Sequence, residues 1–174
     1  MNKRQLGYSI NSSSSPRITI LLADDHAKFR ESLKIVIESD GDIEVVGQAK
    51  NGLEALSLTR ILRPQVVVMD IAMPLLNGLQ ATQRVTQLFP STRVLVLSAH
   101  PDLEYIKQAV VFGACGYLIK QSSAEVLGVA VRAAVEGRCY FSFSIPKGFR
   151  DELRVLFAKL KSMKKKEATR LAAA

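Results

Sequence analysis

The chain has no apolar run approaching the roughly 18 residues that a membrane-spanning helix requires, so a cytoplasmic protein without a membrane segment is expected. A secretory h-region is lacking too. Residues 1–16 hold two basic residues, four consecutive serines and no apolar stretch. Cysteine is scarce: Cys115 and Cys139 lack the spacing of a metal site, and they read as buried, reduced thiols. Excess positive charge is missing from the body of the chain, although the formal net charge is +8. Three basic residues and no acids lie within 1–17, and nine basic residues against three acids within 147–174. The central stretch, 18–146, is left with twelve basic and thirteen acidic groups, which excludes a global field suited to nucleic acid.

What is present between the charged ends is a strict alternation. Short apolar runs (18–23, 43–49, 65–69, 93–97 and 117–119) are each followed by an amphipathic segment. Phe29, Leu33, Val36 and Ile37 mark one face of the first helix, and Leu103, Ile106 and Val110 one face of the fourth. The second helix, 52–62, is stopped by Arg63-Pro64, the third ends near Phe89-Pro90, and Ser122 or Ser123 is expected to cap a fifth that runs to about Glu136. The uninterrupted valines of the third strand predict burial on both faces. Five such units predict an α/β fold: a flavodoxin-like, doubly wound five-stranded parallel sheet in the order 2-1-3-4-5, with helices on both faces. The expected organisation is a disordered leader over 1–16, one domain over 17–137, a linker over 138–148 and a basic amphipathic helical tail over 149–174.

In that strand order the carboxyl ends of strands one, three, four and five lie side by side, where ligands of such sheets bind. The residues at those ends are Asp24 and Asp25, Asp70, Ser98 and Lys120. Three carboxylates, one hydroxyl and one ammonium should therefore converge. Close carboxylates repel and cost stability unless a cation neutralises them. A hard divalent ion such as Mg2+, which takes one or two carboxylates and keeps its waters, suits that set. Taken alone, Asp24-Asp25 also reads as a helix N-terminal cap, Ser98 as a turn residue and Lys120 as a solvated charge.

These residues sit in the motifs Leu-Leu-Ala-Asp-Asp-His (21–26), Val-Val-Met-Asp-Ile-Ala-Met-Pro-Leu-Leu-Asn-Gly (67–78), Val-Leu-Val-Leu-Ser-Ala-His (94–100) and Gly-Ala-Cys-Gly-Tyr-Leu-Ile-Lys (113–120). Across 18–137 the sequence resembles a response-regulator receiver domain of two-component signalling. The resemblance implies that Asp70 accepts a phosphoryl group from a histidine kinase or phosphotransfer protein. It also implies that Asp25, Asp70 and the Ala72 backbone carbonyl ligate Mg2+, with Asp24 acting mainly through a bound water. Lys120 would pair with the phosphoryl oxygens and Ser98 would hydrogen-bond one of them. Tyr117 matches the aromatic that turns into the space Ser98 vacates, changing the surface of the fourth helix, fifth strand and fifth helix. A partner kinase or a second copy of the chain would read that surface.

Gln121, not proline, follows Lys120, as in the LuxR-type subgroup, so a cis bond is not expected there. Ala72 and His100 stand two residues beyond Asp70 and Ser98, where the family tunes access of water to the acyl phosphate; Ala72 has no side chain to orient water, so dephosphorylation should not be fast. LuxR-type regulators continue into a helix-turn-helix domain, but only 29 residues follow Ile145 here, without a turn glycine or recognition helix. DNA binding is therefore not carried over, although a divergent regulator reaching DNA through its basic tail is the alternative. Phe149, Leu153, Leu156, Leu160 and Met163 form a helical stripe expected to pack on the body or on another chain. An enzyme of the haloacid-dehalogenase type would need a second aspartate at position 72, so turnover is not expected.

Overall fold

The computed structural model describes residues 16–99 and 101–172. Nearly all of the proposed leader thus lies outside the described residues, as does His100. Strands β1 (Ile18–Ala23), β2 (Ile43–Ala49), β3 (Val66–Asp70), β4 (Arg93–Ser98), β5 (Gly116–Ile119) and β6 (Tyr140–Phe141) form one sheet in the order β2-β1-β3-β4-β5-β6. Every pairing is parallel. Helices α1 (Ala27–Glu38) and α5 (Ser123–Val135) cover one face with Leu33, Ile37, Leu127 and Val131. Helices α2 (Gly52–Leu62), α3 (Gly78–Leu88) and α4 (Leu103–Val111) cover the other with Ala55, Leu79, Val85, Ile106 and Val110. All five residues of β3 are buried, as a central parallel strand requires.

The flavodoxin-like α/β class is as expected, with a sixth strand added. Tyr140 and Phe141, inside the segment expected to be linker, pair with Gly116 and Tyr117 at the sheet edge. Two residues are too few to show a periodicity, so the strand was invisible to pattern reading. Helix α6 (Lys147–Ala172) begins two residues before the expected tail, directly after Pro146, whose fixed φ suits a helix start.

Four local expectations fail: Leu103 is 44% exposed in the first turn of α4, and Cys139, unlike the buried Cys115, is only half-buried; the other two concern Val36 and the start of α5. Val36 is 42% exposed, because Leu33 and Ile37 alone point into the core from that turn. Neither Ser122 nor Ser123 caps α5 through its side chain; a 3-10 turn, Lys120–Ser122, intervenes, and the Ser123 hydroxyl donates to the Lys120 carbonyl. The caps of α2 and α3 are regular, with Asn51 accepting from the Glu54 amide and Asn77 from the Gln80 amide.

Candidate functional site

Strand register builds the site. Ala23 is level with Met69, so Asp24 emerges from β1 beside Asp70 at the end of β3. Asp70 is level with Leu97, and Ser98 with Ile119, which carries Ser98 and Lys120 to the same rim. Asp24 and Asp70 are 2% and 1% exposed. The Lys120 ammonium lies between them, with Nζ 2.7 Å from Asp24 Oδ2 and 3.0 Å from Asp70 Oδ2. Both of those carboxylate oxygens are buried without a well-directed hydrogen bond, so the ammonium acts on them as a charge more than as an aligned donor.

Two buried carboxylates thus share one cation. Desolvation raises the Asp70 carboxyl above the ordinary aspartate range; the Lys120 ammonium 3.0 Å away opposes this, and the Asp24 charge adds to it. Burial alone would lower the Lys120 ammonium, but the Asp24 and Asp70 carboxylates beside it outweigh that and hold it above the ordinary lysine range. The Ala72 amide lies near enough to the Asp70 carboxylate to favour its charged form, which places that loop against the site. Gly78 closes the loop so tightly that a Cβ there would meet the Asp70 carbonyl oxygen at 1.8 Å.

Asp25 is more exposed and faces His26, whose Nδ1 is 2.7 Å from Asp25 Oδ1 and 3.2 Å from Asp24 Oδ1. The Asp24 carboxylate also accepts from the His26 amide, so it ties down the entry to α1 as well as facing the site. Ligand atoms of Asp24, Asp25, His26 and Asp70 all lie within 4.8 Å of one another. Opposite ligands of an octahedral ion with bonds of about 2.1 Å are about 4.2 Å apart, so the cluster could hold a small divalent cation after its side chains draw in slightly.

Ser98 is buried at the end of β4, and Tyr117 is wholly buried in β5. The two side chains share a hydrogen bond, and desolvation raises the phenol above the ordinary tyrosine range. Two neighbours escaped sequence reading. His26 was visible only as part of a motif, and Phe29, read as a core residue, lies with its ring centroid 5.2 Å from the Lys120 ammonium. Its position, four residues after Asp25 in the first turn of α1, was the available signal.

A family profile described as "Response regulator receiver domain" matches residues 20–132. The chain is 36% identical over 140 residues to the transcriptional regulatory protein DegU of Brevibacillus brevis, covering 80% of this chain and 59% of that protein. It is 38% identical over 130 residues to the transcriptional regulatory protein MctR of Rhizobium johnstonii, covering 75% and 61%. It therefore spans about three fifths of the length of these relatives. Among solved structures, a two-component response regulator of the LuxR family from Aurantimonas sp. SI85-9A1 aligns with a TM-score of 0.73 at 32% identity, covering 78% of this chain and 97% of that one. The receiver domain of the putative response regulator NarL from Mycobacterium tuberculosis aligns with a TM-score of 0.69 at 34% identity, covering 71% and 100%. Profile, relatives and architecture agree with the acidic rim at the sheet's carboxyl edge: the chain belongs to the response regulator receiver domain family, and its relatives are LuxR-type regulators.

Proposed function

We propose that this chain is a phosphoacceptor response regulator in which Asp70 takes a phosphoryl group from a histidine of a kinase or phosphotransfer protein. An Asp70 carboxylate oxygen attacks phosphorus, the P–N bond to the donor imidazole breaks, and its electron pair stays on the imidazole. Such transfer needs positioning and charge neutralisation more than acid-base work. The supporting observation is the buried Asp24–Lys120–Asp70 cluster, two carboxylates around one ammonium at the rim of the sheet.

Asp25, Asp70 and the Ala72 carbonyl are the proposed protein ligands of Mg2+, with Asp24 acting through water; the ion would offset charge on the phosphoryl oxygens. Lys120 pairs with those oxygens, and Ser98 donates to one of them, drawing Tyr117 with it. With alanine at position 72, loss of the acyl phosphate to water should not be fast. Phosphoramidate, a small P–N donor, with Mg2+ tests the proposal by intact mass: one phosphoryl group is expected on the wild type, and none once Mg2+ is chelated. Failure of the wild type to gain mass sinks it.

A second reading has one observation in its favour. Lys161, Lys165, Lys166 and Arg170 are exposed on the distal half of α6 against a single acid, Glu167, so this segment could contact DNA phosphates. Binding to duplex DNA that weakens steeply with salt would support it.

A further inference from the structure

The C-terminal unit is built onto β5, the strand that carries Tyr117 and leads into Lys120. Phe141 is level with Tyr117; the Ser142 amide donates to the Tyr117 carbonyl at 3.0 Å, and the Ile119 amide donates to the Ser142 hydroxyl at 3.0 Å. Helix α6 then packs along α4. Leu153 is buried, and Phe149, Leu156, Phe157 and Leu160 pack against the same core cluster that holds Tyr117, Ile106, Val110 and Phe141. At the other end of the sheet, Lys161 Nζ donates to the Gly137 carbonyl at 3.2 Å. A groove of about 100 Å³, open to solvent on one side, runs between Phe157 and Leu160 of α6 and the body at Thr92, Val110 and Cys115.

The chain's own β6 and α6 thus cover the β5 edge and one side of α4, while Leu103, Tyr105 and Val111 on α4 stay exposed. Tyr117 is inward and hydrogen-bonded with Ser98, enclosed in a cluster to which α6 contributes. An outward swing of its ring requires that enclosure to open. Docked α6 and an inward Tyr117 favour one another.

We infer that β6 and α6 form a clamp that holds Tyr117 inward, so that docking of α6 and phosphorylation of Asp70 stabilise one another. The inference rests on the phosphoacceptor reading, in which the modified Asp70 draws Ser98 and Tyr117 inward. Coupling of this kind is reciprocal: the factor by which phosphorylation tightens α6 equals the factor by which α6 tightens phosphoryl-analogue binding, typically about 5–150-fold. The output is then the state of α6 rather than exposure of the α4 and β5 face.

Hydrogen exchange on the full chain, with and without Mg2+ and BeF3-, tests this. Amides of α6 between residues 149 and 160 should exchange more slowly by a factor within that range when BeF3- is present, together with those of the loop over 71–77. Leu153→Ala should weaken BeF3- binding, whereas Val155→Ala, on the exposed outer face, should not. Protection of the loop with no change in α6 overturns the clamp and leaves the phosphoacceptor reading intact. Faster exchange in α6 overturns its sign, since phosphorylation would then release the helix. No effect of BeF3- anywhere overturns both. The exchange result on the wild type decides the matter even where Leu153→Ala fails to fold.

Discussion

Lys120→Met keeps most of the side chain's apolar stem and removes the one cation between two buried carboxylates. The lost contacts are 2.7 Å to Asp24 and 3.0 Å to Asp70. At an effective dielectric of about 20, each is a gross attraction of about 5–6 kcal/mol, most of which offsets the desolvation of the three groups. Breaking a buried pair by removing one partner typically costs about 3–5 kcal/mol. The Lys120 side chain keeps 17% of its exposure, so water can partly replace it and the loss should fall near the lower end, about 3 kcal/mol. For a chain of this length that is a fall in Tm of about 6–12 °C, read by calorimetry at neutral pH in chelator. Asp70→Asn on the same background removes one of the two opposed carboxylates and should recover most of the loss. A Lys120→Met protein as stable as the wild type, or a double variant less stable than the single one, would refute the idea that charge balance governs this cluster.

Further outcomes follow from the same geometry. The Asp70 carboxyl is raised above 3.8 on folding, so its stabilising contribution is present in acid and lost as pH rises through the folded value. Asp70→Asn should therefore be the more stable protein in metal-free buffer by an amount that grows from about pH 4 upward, read from urea midpoints; a constant gap would count against it. Gly78→Ala would drive a Cβ into the Asp70 carbonyl and should displace the loop, destabilising the protein and abolishing BeF3- binding, both measurable in one titration series. Leu75 is 80% exposed with φ of 67°, a left-handed conformation that costs a leucine roughly 1–2 kcal/mol. Asparagine tolerates it, so Leu75→Asn should raise thermal stability by about 1 kcal/mol, and a loss of stability would contradict the assignment of strain.

The sheet could be read in advance because its strands are short and apolar, the central ones β3 and β4 buried on both faces, and each of the first five is followed by a helix. The site followed from topology: once the strand order is fixed, the residues after β1, β3, β4 and β5 must share a rim. Burial and charge sharing were not legible, since sequence does not show that Lys120 lies between Asp24 and Asp70 rather than in solvent. His26 and Phe29 reach the site through the turn into α1, a geometry that strand-end reading does not sample. At the C-terminus the stripe through Phe149, Leu153, Leu156 and Leu160 was visible, and these residues do pack on the body. Met163, in the same stripe, is 56% exposed, because the helix has passed the edge of the domain by then. The strand that anchors the helix, Tyr140–Phe141, is defined by its partner Tyr117 and has no signal of its own.

The most direct test of the central claim is to locate the phosphoryl group. An acyl phosphate on aspartate is reduced by borohydride to homoserine, a mass change that peptide mapping assigns to one residue. After treatment with phosphoramidate and Mg2+, homoserine is expected at position 70 alone, and at no position when Mg2+ is withheld. Homoserine at position 24 or 25, or none at position 70 under conditions in which the intact protein gains a phosphoryl group, would contradict the assignment of Asp70 as the acceptor.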